Sequence, residues 1–162
     1  HGFVLWIGEL LRVTAAFPAV RVAGADDLPE VERLLEAAGL TRDGLDACAR
    51  DGMVIVARAD DGCLMGCVAL ETFEGAALLR SLAVTAGARG HGLASALVAR
   101  ALDHARATGA HEAWLLTETA GPFFAARGWE AADRAAAPAG VAGSVEFASA
   151  CPKSVPAMRR AL

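Results

Sequence analysis

The chain contains no tyrosine, and Phe and Trp hold the aromatic content to 6% of its 162 residues. No phenol is therefore on hand as a proton donor, whatever chemistry the protein performs. Positive charge is also short, with 15 Lys and Arg against 19 Asp and Glu and a net charge of −4. That balance lacks the basic footprint by which proteins hold nucleic-acid phosphates. No charge-free apolar run approaches the roughly 20 residues of a membrane span, so neither a nucleic acid nor a membrane is expected as a partner. The four cysteines, Cys48, Cys63, Cys67 and Cys151, form no CxxC pair and have no histidine at ligand spacing. They read as packed thiols, with Cys63 and Cys67 on one face of a strand. No metal is expected, and the setting is expected to be reducing and cytoplasmic.

What is present is regular apolar patterning, with 55% of residues hydrophobic. Residues 1–18 are apolar without a basic leader and are read as an N-terminal extension or expression remnant. Residues 19–162 suffice for a single domain with its own core. Val20–Val22 reads as a first strand. Asp27 and Glu30 have capping-box spacing, Pro29 suits a first helical turn, and Leu28, Val31, Leu34, Leu35 and Ala38 share one helical face closed by Gly39. A shorter helix is expected over Asp43–Arg50. Met53–Arg58 and Cys63–Glu71 read as a hairpin about Asp60-Asp61-Gly62, followed by a central strand over Ala76–Val84. Leu93–Ala107 carries its apolar residues on one side of a helical wheel. Ala113–Thr117 reads as a buried strand, Gly121–Ala126 as a short helix, and Trp129–Arg134 as a strand. A helical or loop segment follows Pro138, and a last strand over Ser154–Arg160 is expected at an edge or bulge because of Pro156. The fold class is α+β or α/β with a largely antiparallel sheet.

The segment between the central strand and its helix is chemically distinctive. Arg89-Gly90-His91-Gly92-Leu93-Ala94-Ser95 puts two glycines where a Ser or Asp cap is usual. A helix start offers amide N–H groups without intrahelical partners and a partial positive charge. Glycine leaves that anion site unobstructed. A dinucleotide fingerprint would need a third glycine where Ser95 stands, and a P-loop would need Gly-Lys-Ser/Thr.

The pattern Arg/Gln-x-x-Gly-x-Gly/Ala in Arg89–Ala94, preceded by Ser81-Leu82-Ala83-Val84, resembles the GNAT superfamily of N-acetyltransferases over roughly Val20–Leu162. Leu78–Val84, Leu115–Ala120 with Phe123-Phe124 and Gly128-Trp129, and Glu146-Phe147 with Cys151-Pro152 are similar to arsenic-resistance-associated GNAT N-acetyltransferases. The later blocks are also similar to the acetyltransferase domain of N-acetylglutamate synthases. The resemblance implies a GNAT fold, α+β and sandwich-like, with six to seven strands in a mixed, largely antiparallel sheet and helices on both faces. It implies acetyl-CoA as cosubstrate and acetyl transfer to the amine of a small amino-acid-like compound, arsenic- and phosphinate-containing ones among the candidates. A homodimer is compatible with the family. The competing reading is an acyl-CoA-binding module without catalysis.

The resemblance also implies roles. Backbone amides of Arg89, Gly90, His91, Gly92, Leu93, Ala94 and Ser95 would hold the diphosphate of coenzyme A. Backbone groups of Leu82 and Val84 would pair with the pantetheine arm like an added strand, and Phe124 would flank the cofactor. The N–H of Leu82, at a bulge, would meet negative charge on the thioester oxygen. Because the family's usual tyrosine is missing, water or a hydroxyl of Ser81, Thr117 or Thr119 would protonate the thiolate, or it would leave unprotonated. Glu71 and Glu118 are the carboxylates expected near strand ends as bases. Arg80, alone in an apolar strand, is costly to bury without an anion. It pairs either with Glu71 or Glu118, or with the acceptor's own anionic group together with Ser81 and Thr119.

Overall fold

In chain order the elements are β1 (Ala19–Val22), α1 (Leu28–Ala37), α2 (Leu45–Asp51), β2 (Met53–Arg58), β3 (Leu64–Phe73), β4 (Ala76–Val84) and α3 (Leu93–Ala107). There follow β5 (Glu112–Leu116), α4 (Gly121–Ala125), β6 (Glu130–Ala132), α5 (Ala139–Ala142), a π-helical turn over Glu146–Ala150, and β7 (Ala157–Ala161). This computed structural model describes residues 19–162; the expected N-terminal extension lies outside the described residues. The seven strands form one sheet in the order β1-β2-β3-β4-β5-β7-β6. All neighbours are antiparallel except β4 and β5, which run parallel with α3 as the crossover.

Helices cover both faces of the sheet. On one face Leu93, Leu97, Val98, Ala101, Leu102 and Ala105 of α3 pack against Ile55, Val68, Leu70, Leu79 and Leu115, with Phe124 and Trp129 at one end. The helix comes close because β3 offers Gly66, where a Cβ would meet the carbonyl of Ala83 and the Leu97 side chain, each at 3.1 Å. On the other face Val31, Leu35, Leu45 and Cys48 of α1 and α2 cover Val54, Val56, Cys67 and Ala69. A smaller cluster of Leu78, Trp114, Val141, Phe147 and Ala157 joins α5 and the π turn to the sheet.

Local details depart from expectation where distant chain intervenes. Asp27 and Glu30 form no capping box for α1. The Asp27 carboxylate accepts from the Gly24 amide at 2.8 Å and from Arg21 and Arg58, while Glu30 also pairs with Arg58. Two nearby guanidiniums outcompete helix amides for those oxygens. Cys63 precedes β3 in the turn and is exposed, so it does not share a buried face with Cys67. Trp129 sits in the core ahead of a strand of only three residues. The last strand begins after Pro156 and lies between β5 and β6, not at an edge; Pro156 needs no ladder amide there, and its carbonyl accepts from the Thr117 amide.

Two irregularities interrupt the sheet on either side of β4. Cys67 faces Ala83 and Ala69 faces Arg80, so β4 carries one extra residue and bulges at Ser81–Leu82. Among the described residues Ser81 is the non-glycine with positive φ, at 58°. The parallel pairing of β4 with β5 stops at Leu78–Trp114. Beyond it the two strands part.

Candidate functional site

Where β4 and β5 separate, a cleft of about 750 Å³ opens. Leu79–Val84 and Leu115–Ala120 supply much of its lining, to which Phe123, Phe124, the segment following α1, Glu146 and Cys151 also contribute. Among the described residues the β4 edge facing β5 has no ladder partner from Leu79 onward. The amides and carbonyls on that edge, save the Val84 carbonyl that Arg89 engages, are thus available to an extended ligand.

At one end the cleft reaches Arg89 and Ala94. Gly90 and Gly92 hold φ of +82° and +80°, which L side chains rarely adopt. Nothing lies within 4 Å of a Cβ built on Gly90. No side chain caps the start of α3, and among the described residues no turn or cap hydrogen bond is donated by the amides of Gly90, His91 or Gly92. Gly90, His91 and Gly92 are exposed, while the Leu93 side chain is buried and anchors the helix in the core. Fifteen helical residues stand behind these amides, so charge and geometry favour an anion here. The Ser95 hydroxyl accepts from Arg127 Nε at 2.8 Å, and that guanidinium lies 3.7 Å from the Phe123 ring centre. Arg89 Nε donates to the Val84 carbonyl at 3.3 Å.

Leu82 and Val84 are half-buried on the cleft wall. Phe124 touches the cleft but is chiefly a core residue, stacked edge-on with Phe123 and Trp129. Thr117, half-buried, accepts from the Ala120 amide through its hydroxyl at 3.0 Å and so shapes the turn after β5. Glu118 and Thr119 are exposed on the cleft wall.

Arg80 has a fully buried side chain. Its Nε lies 3.0 Å from Glu146 Oε2 and donates to Ser81 Oγ at 3.1 Å, and its Nη2 donates to the Asp43 carbonyl at 2.5 Å. Nη1 stands 3.6 Å from Glu71 Oε2, and among the described residues neither atom has a hydrogen-bond partner. The structure thus gives Arg80 an internal ion pair, with Glu71 as one expected partner and Glu146 as a second, and among the described residues Glu118 forms no ion pair with it. Glu71 lies on β3, opposite Leu78 of β4, and outside the cleft lining. Glu146 is the site residue that the sequence pattern left without a role. Burial pushes its carboxyl up to about 7, Arg80 opposing the shift and Glu71 adding to it. A π turn at a functional cleft is a recurring association, but a π turn has no sequence periodicity by which to find it.

The features fit a long ligand with an anionic end and an extended, amide-bearing arm. Among the described residues no group of three His, Cys, Asp or Glu gathers as for a metal ion, and no helix is long and apolar enough to cross a membrane.

Residues 25–129 match the Acetyltransferase (GNAT) family. Over 126 residues the chain is 32% identical to the amino-acid acetyltransferase of Neisseria meningitidis serogroup A, a match taking in 72% of this chain and 28% of the relative. The chain thus spans less than a third of the curated relative's length. Among solved structures, N-acetylglutamate synthase from Neisseria gonorrhoeae complexed with coenzyme A and N-acetyl-glutamate superposes with a TM-score of 0.75 at 26% identity, covering 91% of this chain and 35% of that one. A Mycobacterium tuberculosis protein in complex with CoA shares the fold, with a TM-score of 0.73 at 24% identity over 90% of this chain and 99% of that one. These relatives support the broader expectation drawn from the sequence, with amino-acid acetyltransferases in place of the arsenic-resistance branch.

Proposed function

Because the chain belongs to the acetyltransferase (GNAT) family, we propose that it transfers the acetyl group of acetyl-CoA to the amine of a small amino acid, with acidic amino acids such as glutamate first in line. The observation that carries this reading is the parting of β4 from β5 at the bulge, next to an uncapped helix start. A mere glycine-rich turn would not need a strand edge left open beside it. The acidic amino-acid acceptor is supported by the amino-acid acetyltransferase relative and by the N-acetyl-glutamate in the gonococcal complex.

Acetyl-CoA would supply the activated acetyl group and a thiol leaving group. The amides of Gly90–Ser95 hold its diphosphate, that of Arg89 donating instead to the Ala86 carbonyl at 3.4 Å, and the open edge at Leu82 and Val84 orders its pantetheine arm. The Leu82 N–H, turned by the bulge, faces negative charge developing on the thioester oxygen. Ser81 and Thr119 orient the acceptor from the cleft wall. With no phenol in the chain, water or the Thr117 hydroxyl returns a proton to sulfur; a thiol's ordinary pKa of about 8.5 makes departure as thiolate feasible.

The test is release of free thiol from acetyl-CoA across a panel of amines containing glutamate, other α-amino acids, and phosphinate- and arsenic-containing analogues. Turnover is expected with at least one amino acid. Tight binding of coenzyme A without turnover on any amine would instead establish a non-catalytic acyl-CoA module. Preference for the phosphinate or arsenic analogues over glutamate would identify the narrower acceptor class.

A further inference from the structure

The cleft contains a carboxylate to which acetyl transfer has so far given no role. Glu146 opens the π turn, with a side chain only 7% exposed, and it borders the cleft. Its Oε2 and the Ser81 hydroxyl approach the same atom, Nε of Arg80, at 3.0 and 3.1 Å. Ser81 is the residue at which β4 bulges. The carboxylate is therefore pinned beside the bulge, next to Ser81, the residue before Leu82. Resting on the acetyl-transfer reading, we propose that Glu146 is the catalytic base that takes the proton from the acceptor's ammonium.

The step balances simply. An N–H bond of the ammonium breaks and its electron pair stays on nitrogen as the lone pair. The proton forms an O–H bond on Glu146, whose charge passes from −1 to zero, and it then leaves to water at the cleft mouth. The neutral amine that remains is the nucleophile.

The surroundings suit this role from every side. Arg80 on β4 supplies one positive charge, and Glu71 on the neighbouring strand β3 lies 3.6 Å from it. Two carboxylates thus share one buried guanidinium, which leaves room for one proton among the three groups. The Asp43 carbonyl ahead of α2 holds Nη2 of Arg80, and Gly44 leaves room for Nη1, which a Cβ there would meet at 2.9 Å. Cys48 on α2 feels all three groups, but burial pushes its thiol up to about 12 and keeps it neutral. Cys151 after the π turn is raised as well, by burial first and then by Glu146, with Arg134 and Arg80 opposing and Glu118 adding. No thiol competes for the proton at neutral pH. The turn itself is clamped by Arg134, which donates to the carbonyls of Phe147 at 2.7 Å and Pro152 at 2.6 Å. Burial brings the Glu146 carboxyl to about 7, where a base is both ionised and strong enough to act. Exposed Glu118 has no such environment, and Glu71 does not reach the cleft.

The experiment compares wild type, Glu146→Gln, Glu146→Asp and Glu118→Gln in kcat/KM from pH 5.5 to 9.5, with glutamate or the best amino acid of the panel as acceptor, alongside calorimetry with coenzyme A. Glu146→Gln is expected to bind coenzyme A as wild type does and to lose about 100-fold or more in kcat/KM at pH 7. The loss should shrink as pH rises and the free amine forms unaided. Its acidic limb near pH 7 should vanish, whereas Glu146→Asp, the variant that keeps a carboxylate should the glutamine one not fold, retains a displaced limb. A wild-type limb in Glu146→Gln, or a loss carried by Glu118→Gln in its place, overturns the assignment while leaving acetyl transfer intact. Absence of turnover by wild type on every amino acid overturns the acetyl-transfer reading itself, and the base with it.

Discussion

Ser81 is held in the left-handed region at φ 58°, a conformation that costs a residue with a Cβ about 1–3 kcal/mol. Its surroundings show what holds it there. The hydroxyl accepts from Arg80 Nε at 3.1 Å, and the Cys67 thiol donates to its carbonyl at 3.3 Å. Burial pushes Cys67 up to about 12, so it stays a neutral donor. Glycine adopts the same backbone without strain but loses the acceptor for Arg80, so the two effects of Ser81→Gly oppose each other. Its stability is expected within about 1 kcal/mol of wild type. Ser81→Val adds a β-branch where φ is positive and removes the hydroxyl as well, and should cost about 2–3 kcal/mol. Urea denaturation of the three proteins measures both. A valine variant as stable as wild type would mean that the bulge is not held at this residue.

The start of α3 works as an element, because its anion site is made of amides that no side chain caps. Gly92 stands immediately before the helix with φ +80°. Gly92→Ala should cost about 1 kcal/mol through strain alone. It also tilts the amides that follow, so the Kd for coenzyme A, read by calorimetry, should rise about tenfold while the KM for the acceptor stays put. This element was legible in the sequence because its signals are local: a helical apolar period over Leu93–Ala105, glycines before it, and an apolar strand ahead. The same holds for α1 and for β2 to β5. What the sequence hid depends on residues remote along the chain. Glu146 becomes a buried acid only because Arg80, Glu71 and the Arg134 clamp arrive from three other elements. Asp27 has capping spacing, yet Arg21 and Arg58 claim its oxygens. Arg80 showed its need for an anion through burial in an apolar strand, but which acid would answer it depended on the crossing of β3, β4 and the π turn.

At the scale of the whole molecule, two buried acids set opposite slopes of stability against pH. Glu146 is raised from 4.5 to about 7 by burial, so the folded state binds the proton more tightly than the unfolded one. Its contribution is fully present below pH 4.5 and is lost as pH rises toward 7. Asp27 behaves in the reverse sense. The hydrogen bonds from Arg21, with those from Gly24 and Arg58, hold its carboxyl well below the usual carboxylate range. Its contribution is present above the unfolded value of about 3.9 and is lost as pH falls from there through the folded value. Asp27 is 7% exposed and joins β1, β2 and the entry to α1 through Arg21 at 2.7 Å and Arg58 at 2.9 Å. Asp27→Asn keeps the shape but gives up charge-assisted hydrogen bonds, so it should lower stability at pH 7 by about 1–3 kcal/mol. Below pH 4 the gap should narrow, since the unfolded wild-type carboxylate then takes up a proton that the folded one binds only at much lower pH, while the amide has nothing to titrate. Urea unfolding at a series of pH values from 2.5 to 7 measures the convergence. Parallel curves for the two proteins down to pH 2.5 would show that Asp27 does not govern the acid limb.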